Sequence, residues 1–187
     1  MEREKELAIR ASMHDPGAFA ELYDLYADKI YNYVYYKVGN TVEAEDLTAQ
    51  VFTKAWEAIG SYQWQGYSFS PWLFRIAHNL VVDYHRARRP TVVLDVLETR
   101  PNLASLEDSQ PDQVLQSMMT MERVREAISQ LTEEQQTVII LRFIEGYSTA
   151  DVAEIMGKRR GAIRGLQFRG LTALRKILGV EELDESR

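Results

Sequence analysis

The amino-acid sequence predicts an all-α protein made of two small helical domains joined by a linker. Few of its stretches alternate apolar and polar residues with the period of two that marks a β-strand. Apolar residues instead recur every three or four positions, as at Leu47, Val51, Ala55 and Ile59. Glycine, proline and capping residues fall where these periodic stretches stop, and an acidic stretch containing prolines separates two groups of them.

The first domain is predicted over residues 1–90 and contains three helices. The expected ranges are Pro16–Val38, Thr41–Ile59 and Ser70–Arg89. Gly39 suits a left-handed C-cap at the end of the first helix. The third helix is expected to begin with Ser70 as its N-cap and Pro71 at its first position, and Pro90 follows its end. Residues 61–69, SYQWQGYSF, precede it as a loop rich in aromatic side chains.

A linker is predicted over residues 91–112, because prolines at 90, 101 and 111 and five acids suit a connection better than a packed element. Its first part, TVVLDVL, is also compatible with a short strand or a docking segment. The second domain is predicted over 113–180, with a tail over 181–187.

Two capping boxes organise the second domain. Thr132 with Gln135 precedes an apolar run, and Ser148 with Asp151 opens a short helix over Thr149–Met156. Gly157 then provides a turn, and a long basic helix is expected to continue to about Leu178. A short helix, a turn with glycine and a longer basic helix form a helix-turn-helix pattern, whose second helix enters the major groove of DNA.

Charge is unevenly distributed along the chain, whose net charge is −6. Residues 71–90 carry four arginines and one acid, a balance of +3, and residues 157–176 carry seven basic residues and no acid. Residues 91–122 carry six acids and one arginine, a balance of −5. Local patches, not the total, set the field that DNA experiences, so both basic stretches are compatible with nucleic-acid binding.

Composition disfavours several other functional classes. No apolar run reaches about 18 residues, so we expect no membrane insertion, and the charged N-terminus lacks the apolar region of a secretory signal. Cysteine is absent, which removes disulfides and thiolate metal sites and is consistent with a cytoplasmic protein. His78 and His85 are about 10 Å apart along their helix, too far to share one ion. With no nucleophile set, carboxylate pair or phosphate-binding glycine loop, we expect no enzyme, cofactor or metal site.

The helical phase of the long basic helix separates a packing face from a face available to a duplex. Ile163, Leu166 and Gly170 fall on one side, whereas Gly161 and Gly165 fall on the other. An interior glycine costs about 1 kcal/mol of helix stability, so glycines on an outer face predict close approach of the backbone to DNA. The candidate DNA contacts are Lys158, Arg159, Arg160, Arg164, Gly165, Gln167, Phe168 and Arg169.

Two alternatives apply to this basic helix. It could be a solvated face with no partner, or its G-x-x-x-G spacing could mark a membrane-helix dimer. The second alternative is excluded because seven cations in twenty residues would be prohibitive in hydrocarbon.

The third helix of the first domain offers a second candidate DNA surface. Its predicted inner stripe is Leu73, Ile76, Ala77, Leu80, Tyr84 and Ala87, and its predicted outer face is Arg75, His78, Asn79, His85, Arg86 and Arg89. Arginine suits phosphate, asparagine suits a base edge, and the aromatic rings before the helix suit unstacked bases. Core packing is the alternative for these rings, above all for Trp72. The candidate contacts are Trp64, Tyr67, Trp72, Arg75, Asn79, Arg86 and Arg89.

A polar stripe on the second helix consists of Asp46, Gln50, Lys54 and Glu57. The stripe is either a solvated face or a docking face for a partner protein.

Three segments together resemble the extracytoplasmic-function (ECF) sigma factors of bacterial RNA polymerase. The segments are AEDLTAQVFTKAW, SPWLFRIAHNLVVDYHRARRP and LTEEQQTVIILRFIEGYSTADVAEIMGKRRGAIRGLQFRGLTALRKIL. The resemblance covers nearly the whole chain in the family's order and spacing. It implies two helical domains, called regions 2 and 4, that make the chain an alternative sigma factor.

The resemblance implies a role for each candidate surface. The stripe from Asp46 to Glu57 would dock on the clamp helices of the polymerase β′ subunit, and region 4 would meet the β flap. The loop 61–69 and the helix with Asn79 and Arg86 would recognise and help melt the minus-10 promoter element. The helix beginning near Arg160 would recognise the minus-35 element. An anti-sigma factor is an expected partner, and nucleoid association is expected in the active state.

The sequence departs from the family's usual motifs at three places. D-L-x-Q-E-V-F has Ala49 and Gln50 here, and the usual L-P is Leu131-Thr132. The common S-x-G-T-V-K is RRGAIR at 159–164, which loses hydroxyls and gains cations, so promoter preference cannot be transferred. Two other hypotheses are a freestanding helix-turn-helix regulator, which would bind palindromic duplex without polymerase, and a helical adaptor that does not bind DNA.

Overall fold

The computed structural model describes residues 2–64, 66, 68–88 and 121–179, and this part of the chain is helical with no strand. The all-α prediction is confirmed. The helices are α1 Glu2–Ser12, α2 Pro16–Val38, α3 Thr41–Ala58, α4 Ser70–Ala87, α5 over 121–129, α6 Glu133–Ile139, α7 Thr149–Met156 and α8 Arg160–Leu178. None of these described helices is both long and apolar enough to cross a membrane. The predicted linker and tail, together with Tyr67 and Arg89, lie outside the described residues.

Helix α1 is absent from the sequence-based prediction. Its buried side is small, since it consists of Leu7, Ala8 and Ala11, and the remaining positions are mostly charged or polar. Two ion pairs hold the helix and its following turn. Arg3 pairs with Glu21 of α2 at 2.8 Å, and Arg10 pairs with Asp15 at 2.7 Å. A helix anchored by surface ion pairs gives little apolar periodicity, which explains why the pattern did not show it.

Local signals set most of the other helix boundaries. Gly39 adopts φ 73° and its N–H donates to the Tyr35 carbonyl, as predicted for a left-handed C-cap. The side chain of Asn40 then accepts from the Glu43 N–H and begins α3. Helix α3 ends at Ala58 in a short 3₁₀ turn over Ile59–Ser61.

The predicted N-cap of α4 is wrong by one residue. Phe69 occupies the cap position and has no side-chain capping bond. The Ser70 hydroxyl lies 2.7 Å from the Ser68 hydroxyl instead, and the Phe69 N–H donates to the Glu4 carboxylate of α1 at 2.7 Å. A carboxylate from a distant helix therefore accepts a hydrogen bond at the start of α4.

Both predicted capping boxes are present in the second domain, at Thr132 with Gln135 and at Ser148 with Asp151. Helix α6 continues into a π turn over Ile140–Ile144. Five consecutive residues of this segment, 137–141, are buried, because it packs on α8 and also on α2. Phe143 of the predicted apolar run is half exposed.

The two domains pack against each other in the structure. Helix α4 contacts α7, and α2 contacts the π turn. The buried Lys37 ammonium of α2 donates to the Glu133 carbonyl at 3.1 Å and to the Thr137 hydroxyl at 3.3 Å. The ring of Tyr147 stands edge-on to the Phe74 ring of α4, with centroids 5.2 Å apart.

This packing corrects the predicted faces of α4. Its buried stripe includes Phe74 and Val81, which the prediction omitted, whereas Ala87 of the predicted inner stripe is exposed. His78 and His85, predicted on the outer face, are partly buried, and His78 Nδ1 lies 3.0 Å from the Tyr33 hydroxyl. Phe74 packs against both Tyr147 of the second domain and Tyr33 of α2, and the buried stripe is shifted toward these contacts. The periodicity of a single helix cannot show this.

Candidate nucleic-acid interface

Helix α8 presents the predicted basic face to solvent. Gly157, with φ 60°, ends α7 and makes the turn, so α7 and α8 form the predicted helix-turn-helix. Ile163, Leu166 and Gly170 are buried as expected. Arg159, Arg160, Arg164 and Arg169 are exposed, and Phe168 is 73% exposed.

Two other candidates on this face already have protein partners. Lys158 forms an ion pair with Glu134 of α6 at 2.8 Å. The side-chain oxygen of Gln167 accepts a hydrogen bond from Arg142 at 3.4 Å. A contact from either residue to DNA would compete with these bonds, whereas Arg164 is exposed and shows no ion pair within the described residues.

The glycines of α8 differ in their surroundings. Among the described residues, a Cβ added at Gly161 would meet no atom within 4 Å, and one at Gly165 would meet only the Arg169 guanidinium at 3.4 Å. A Cβ at Gly170 would lie 3.1 Å from the Ile139 side chain. Gly170 therefore packs closely against α6, but packing among the described residues does not explain Gly161 or Gly165.

Four described residues of the aromatic loop, Ser61, Tyr62, Gln63 and Ser68, line a cleft at the start of α4. The cleft has a volume of about 210 Å³. Its lining residues are Ser61, Tyr62, Gln63, Ser68, Pro71, Trp72, Arg75 and Glu154. Tyr62 and Trp72 pack edge-on with centroids 5.2 Å apart, and both rings remain partly exposed. Burial, reinforced by the charge of Glu4, raises the pKa of Tyr62 to about 12, so its hydroxyl stays neutral at physiological pH.

The remaining candidates of the first domain lie along the exposed side of α4. Arg75, Asn79 and Arg86 are exposed, and Trp64 is partly buried against the core. Arg86 pairs weakly with Asp83 at 3.4 Å on the same helix. The exposed side of α4 therefore combines cations, an amide and the aromatic cleft, which are groups that contact phosphates, base edges and unstacked bases.

The polar stripe of α3 is exposed along its whole length, and Gln50 donates to the Asp46 carboxylate at 2.8 Å. The C-terminal end of the polar stripe on α3 lies next to the surface of α4. A groove of about 420 Å³ is lined by Lys54, Glu57, Ala58, Ile76, Asn79, Leu80 and Asp83. Lys54 and Glu57, predicted to bind polymerase, thus adjoin Asn79, predicted to bind DNA.

Sequence reasoning missed the polar groups buried between the domains. Burial raises the pKa of Glu145 to about 7, and one of its carboxylate oxygens has no hydrogen-bond partner among the described residues. Burial also lowers the pKa of Lys37 to about 8, and it lowers the pKa of both His78 and His85. These residues show no motif in the sequence, since their burial depends on contacts between segments that are far apart in the chain.

Two family profiles match this chain in the order of its domains. The profile described as Sigma-70 region 2 matches residues 22–91, and the one described as Sigma-70, region 4 matches residues 127–176. The chain is 33% identical over 170 residues to the ECF RNA polymerase sigma factor SigW of Bacillus subtilis, covering 88% of this chain and 90% of that protein. This chain belongs to the ECF family of RNA polymerase sigma factors.

A second relative of this sigma factor is the ECF RNA polymerase sigma factor BldN of Streptomyces coelicolor. The two are 39% identical over 176 residues, which is 94% of this chain. The match spans 66% of the length of that relative.

Solved structures show the same fold at low sequence identity. This sigma factor superposes on CnrH, solved in complex with the cytosolic domain of CnrY, with a TM-score of 0.74 and 21% identity, covering 96% of this chain and 99% of that chain. It also superposes on the sigma factor RpoE of Bartonella quintana, solved with the anti-sigma factor NepR, with a TM-score of 0.70 and 23% identity, covering 87% and 98%.

Proposed function

We propose that this chain is an alternative sigma factor that directs core RNA polymerase to specific promoters and initiates transcription there. The observation that carries the proposal is that both matched regions present exposed surfaces of the appropriate chemistry: a basic helix-turn-helix in region 4, and an aromatic cleft beside a basic helix in region 2. Such a subunit works in the cytoplasm, on the nucleoid when active, and is not itself an enzyme.

Helix α8 is proposed to recognise the minus-35 element as duplex. Its exposed arginines are suited to phosphates and to guanine edges in the major groove. Phe168 has the exposure and the chemistry to contact a thymine methyl group. Gly161 leaves the backbone open to a close neighbour on the same face.

The aromatic cleft and the exposed side of α4 are proposed to hold the melted minus-10 strand. An unpaired base can stack on an aromatic ring, which is worth about 1–3 kcal/mol per base. Trp72 and Tyr62 offer ring surface at the cleft, and Arg75 offers a cation at its edge. Stacking of this kind favours separated strands over duplex and would therefore assist promoter opening.

Polymerase docking is assigned to the exposed stripe of α3, from Asp46 to Glu57. We propose that this stripe binds the clamp helices of the polymerase β′ subunit. Region 4 is proposed to bind the β flap. An anti-sigma factor is a further proposed partner, supported by membership of a family whose solved relatives include a complex with an anti-sigma factor.

The packed arrangement of the two domains must open before both promoter elements are bound. The elements are roughly 25 base pairs apart, which at about 3.4 Å per base pair is on the order of 85 Å of duplex. Helices α4 and α7 are in direct contact in the structure, and Glu154 of α7 lines the cleft beside Arg75. Separation of the domains would remove this carboxylate from the surface proposed for the minus-10 strand.

The test is transcription in vitro with purified core polymerase on genomic fragments. We expect discrete transcripts only when the chain and core polymerase are both present, and only weak duplex binding by the chain alone. A freestanding regulator would instead bind palindromic duplex as a dimer without polymerase. Stable binding to core polymerase without specific initiation would refute the proposal.

A further inference from the structure

We propose that Glu4 is a positioning residue for promoter opening, acting from α1 on the aromatic loop. The inference rests on the function proposed above for that loop. Glu4 lies outside the segment that matches Sigma-70 region 2, which begins at residue 22. Its carboxylate reaches the end of the loop, 65 positions further along the chain.

One oxygen of Glu4 holds two groups of the first domain. It accepts the Phe69 N–H at 2.7 Å, and it also accepts the hydroxyl of Tyr26 on α2. Phe69 is the N-cap of α4 and has no side-chain cap of its own. A carboxylate near the N-terminus of a helix is stabilised by the helix dipole and satisfies an N–H that the helix cannot pair internally.

The residue held by Glu4 organises the aromatic cleft. Phe69 is 1% exposed, and its ring lies 5.2 Å from Tyr62 and 5.1 Å from Trp72. Those two rings line the cleft, whereas Glu4 does not. Glu4 therefore cannot contact a base in the cleft, and it acts through the position of Phe69.

Helix α1 has other anchors, so the effect of Glu4 on the loop can be separated from the docking of the helix. Leu7, Ala8 and Ala11 are buried, and Arg3 pairs with Glu21 of α2. Removing the Glu4 carboxylate leaves these contacts in place. Arg3→Ala is the matched control, because it weakens an anchor of α1 without touching the loop.

The experiment uses the full chain with core polymerase on a promoter fragment recovered from the genomic transcription assay. Opening is measured as permanganate reactivity of unpaired thymines, beside core-polymerase affinity and binding of minus-35 duplex. We expect Glu4→Ala to slow opening by about tenfold, the usual scale for losing a hydrogen bond to a charged group. Core affinity and duplex binding should stay at wild-type values. Glu4→Gln, whose amide oxygen can accept both hydrogen bonds, should restore most of the opening rate, and Arg3→Ala should open like wild type.

Hydrogen exchange at the Phe69 amide reports the contact itself and should be faster in Glu4→Ala. If exchange is faster but opening is unchanged, the inference is wrong. It is also wrong if core affinity falls in parallel with opening, since that indicates a general structural role. If Glu4→Ala does not fold, Glu4→Asp retains the charge but is one methylene shorter, and normal opening by that variant contradicts the inference. Failure of the wild-type chain to open any promoter would instead refute the proposed function.

Discussion

The glycines within α8 and in the turn before it have different roles. Gly157 is in the left-handed region and makes the turn of the helix-turn-helix, and Gly170 packs closely on the Ile139 side chain. Gly161 has neither constraint, since it is helical and a Cβ there would meet no atom within 4 Å in the part of the chain that the structure describes. Its presence reduces helix stability without a packing reason, which is consistent with a need for bare backbone at a DNA surface.

Replacing Gly161 with alanine is expected to raise the free energy of unfolding by about 0.5–1 kcal/mol, because alanine restricts the unfolded chain and fits the helix. The same variant should bind minus-35 duplex more weakly. Chemical denaturation and duplex titration measure the two effects. Gly170→Ala is the matched control and should gain less stability than Gly161→Ala, since its Cβ would lie 3.1 Å from the Ile139 side chain. Unchanged duplex affinity for Gly161→Ala would show that DNA does not approach that position.

At the scale of elements, the two faces of α8 have different roles, one in packing and the other in the proposed DNA contact. Its inner side packs on α6 and α7, and its outer side carries cations that are exposed in the absence of DNA. These cations are not equivalent. Lys158, in the turn before α8, is paired with Glu134, whereas Arg164 is exposed in the second turn of the helix. We therefore expect the charge of Arg164 to contribute directly to DNA affinity, without competition from an ion pair among the described residues.

Arg164→Ala is expected to weaken minus-35 duplex binding and to lower the slope of log affinity against log salt concentration by about one. The reason is that one fewer phosphate charge is neutralised. Fluorescence anisotropy across a salt series measures both quantities. Lys176→Ala is the control, since this exposed cation lies near the C-terminal end of α8, about 18 Å along the helix axis from Arg164. A salt slope equal to that of wild type would remove Arg164 from the set of contacts.

Most helix boundaries could be predicted because local chemistry determines them. Gly39, Gly157 and both capping boxes act within a few residues of their own position, so the sequence pattern contains the whole signal. The local sequence pattern does not reveal contacts between segments that are distant in the chain. The Phe69 N–H at the start of α4 bonds to Glu4 of α1, and His78 of α4 lies against Tyr33 of α2, so the predictions for Ser70 and His78 were wrong.

At the scale of the whole molecule, the interface between the domains contains ionisable groups with opposite pH dependences. Burial raises the pKa of Glu145 from 4.5 to about 7 against the opposing effect of Lys29, so the packed state favours the protonated acid. Asn32 donates to the carboxylate, while the charge of Asp28 raises the pKa further. The contribution of Glu145 to packing is therefore present below about pH 4.5 and is lost as pH rises through about 7. For His78 and His85, whose pKa values are lowered, the contribution is present above about pH 6.5 and is lost at lower pH.

The variant Glu145→Gln isolates the pH dependence that comes from Glu145. The amide has no charge to bury at any pH, so the melting temperature of the variant minus that of wild type should increase between pH 5 and pH 8. Differential scanning calorimetry at matched ionic strength measures this difference, and circular dichroism at both ends checks that the fold is retained. A difference that stays constant with pH would show that Glu145 ionises equally easily in the packed and separated states.

The contact between Phe74 and Tyr147 also has a consequence for the order of events during synthesis. The two rings are separated by about 70 residues, and at roughly 5–20 residues per second the ribosome needs about 4–15 s to add them. Domains usually fold as units with the N-terminal one first, so region 2 can fold while its partner surface does not yet exist. Each newly made chain therefore passes through a period in which the side of α4 that α7 later covers is open to other proteins.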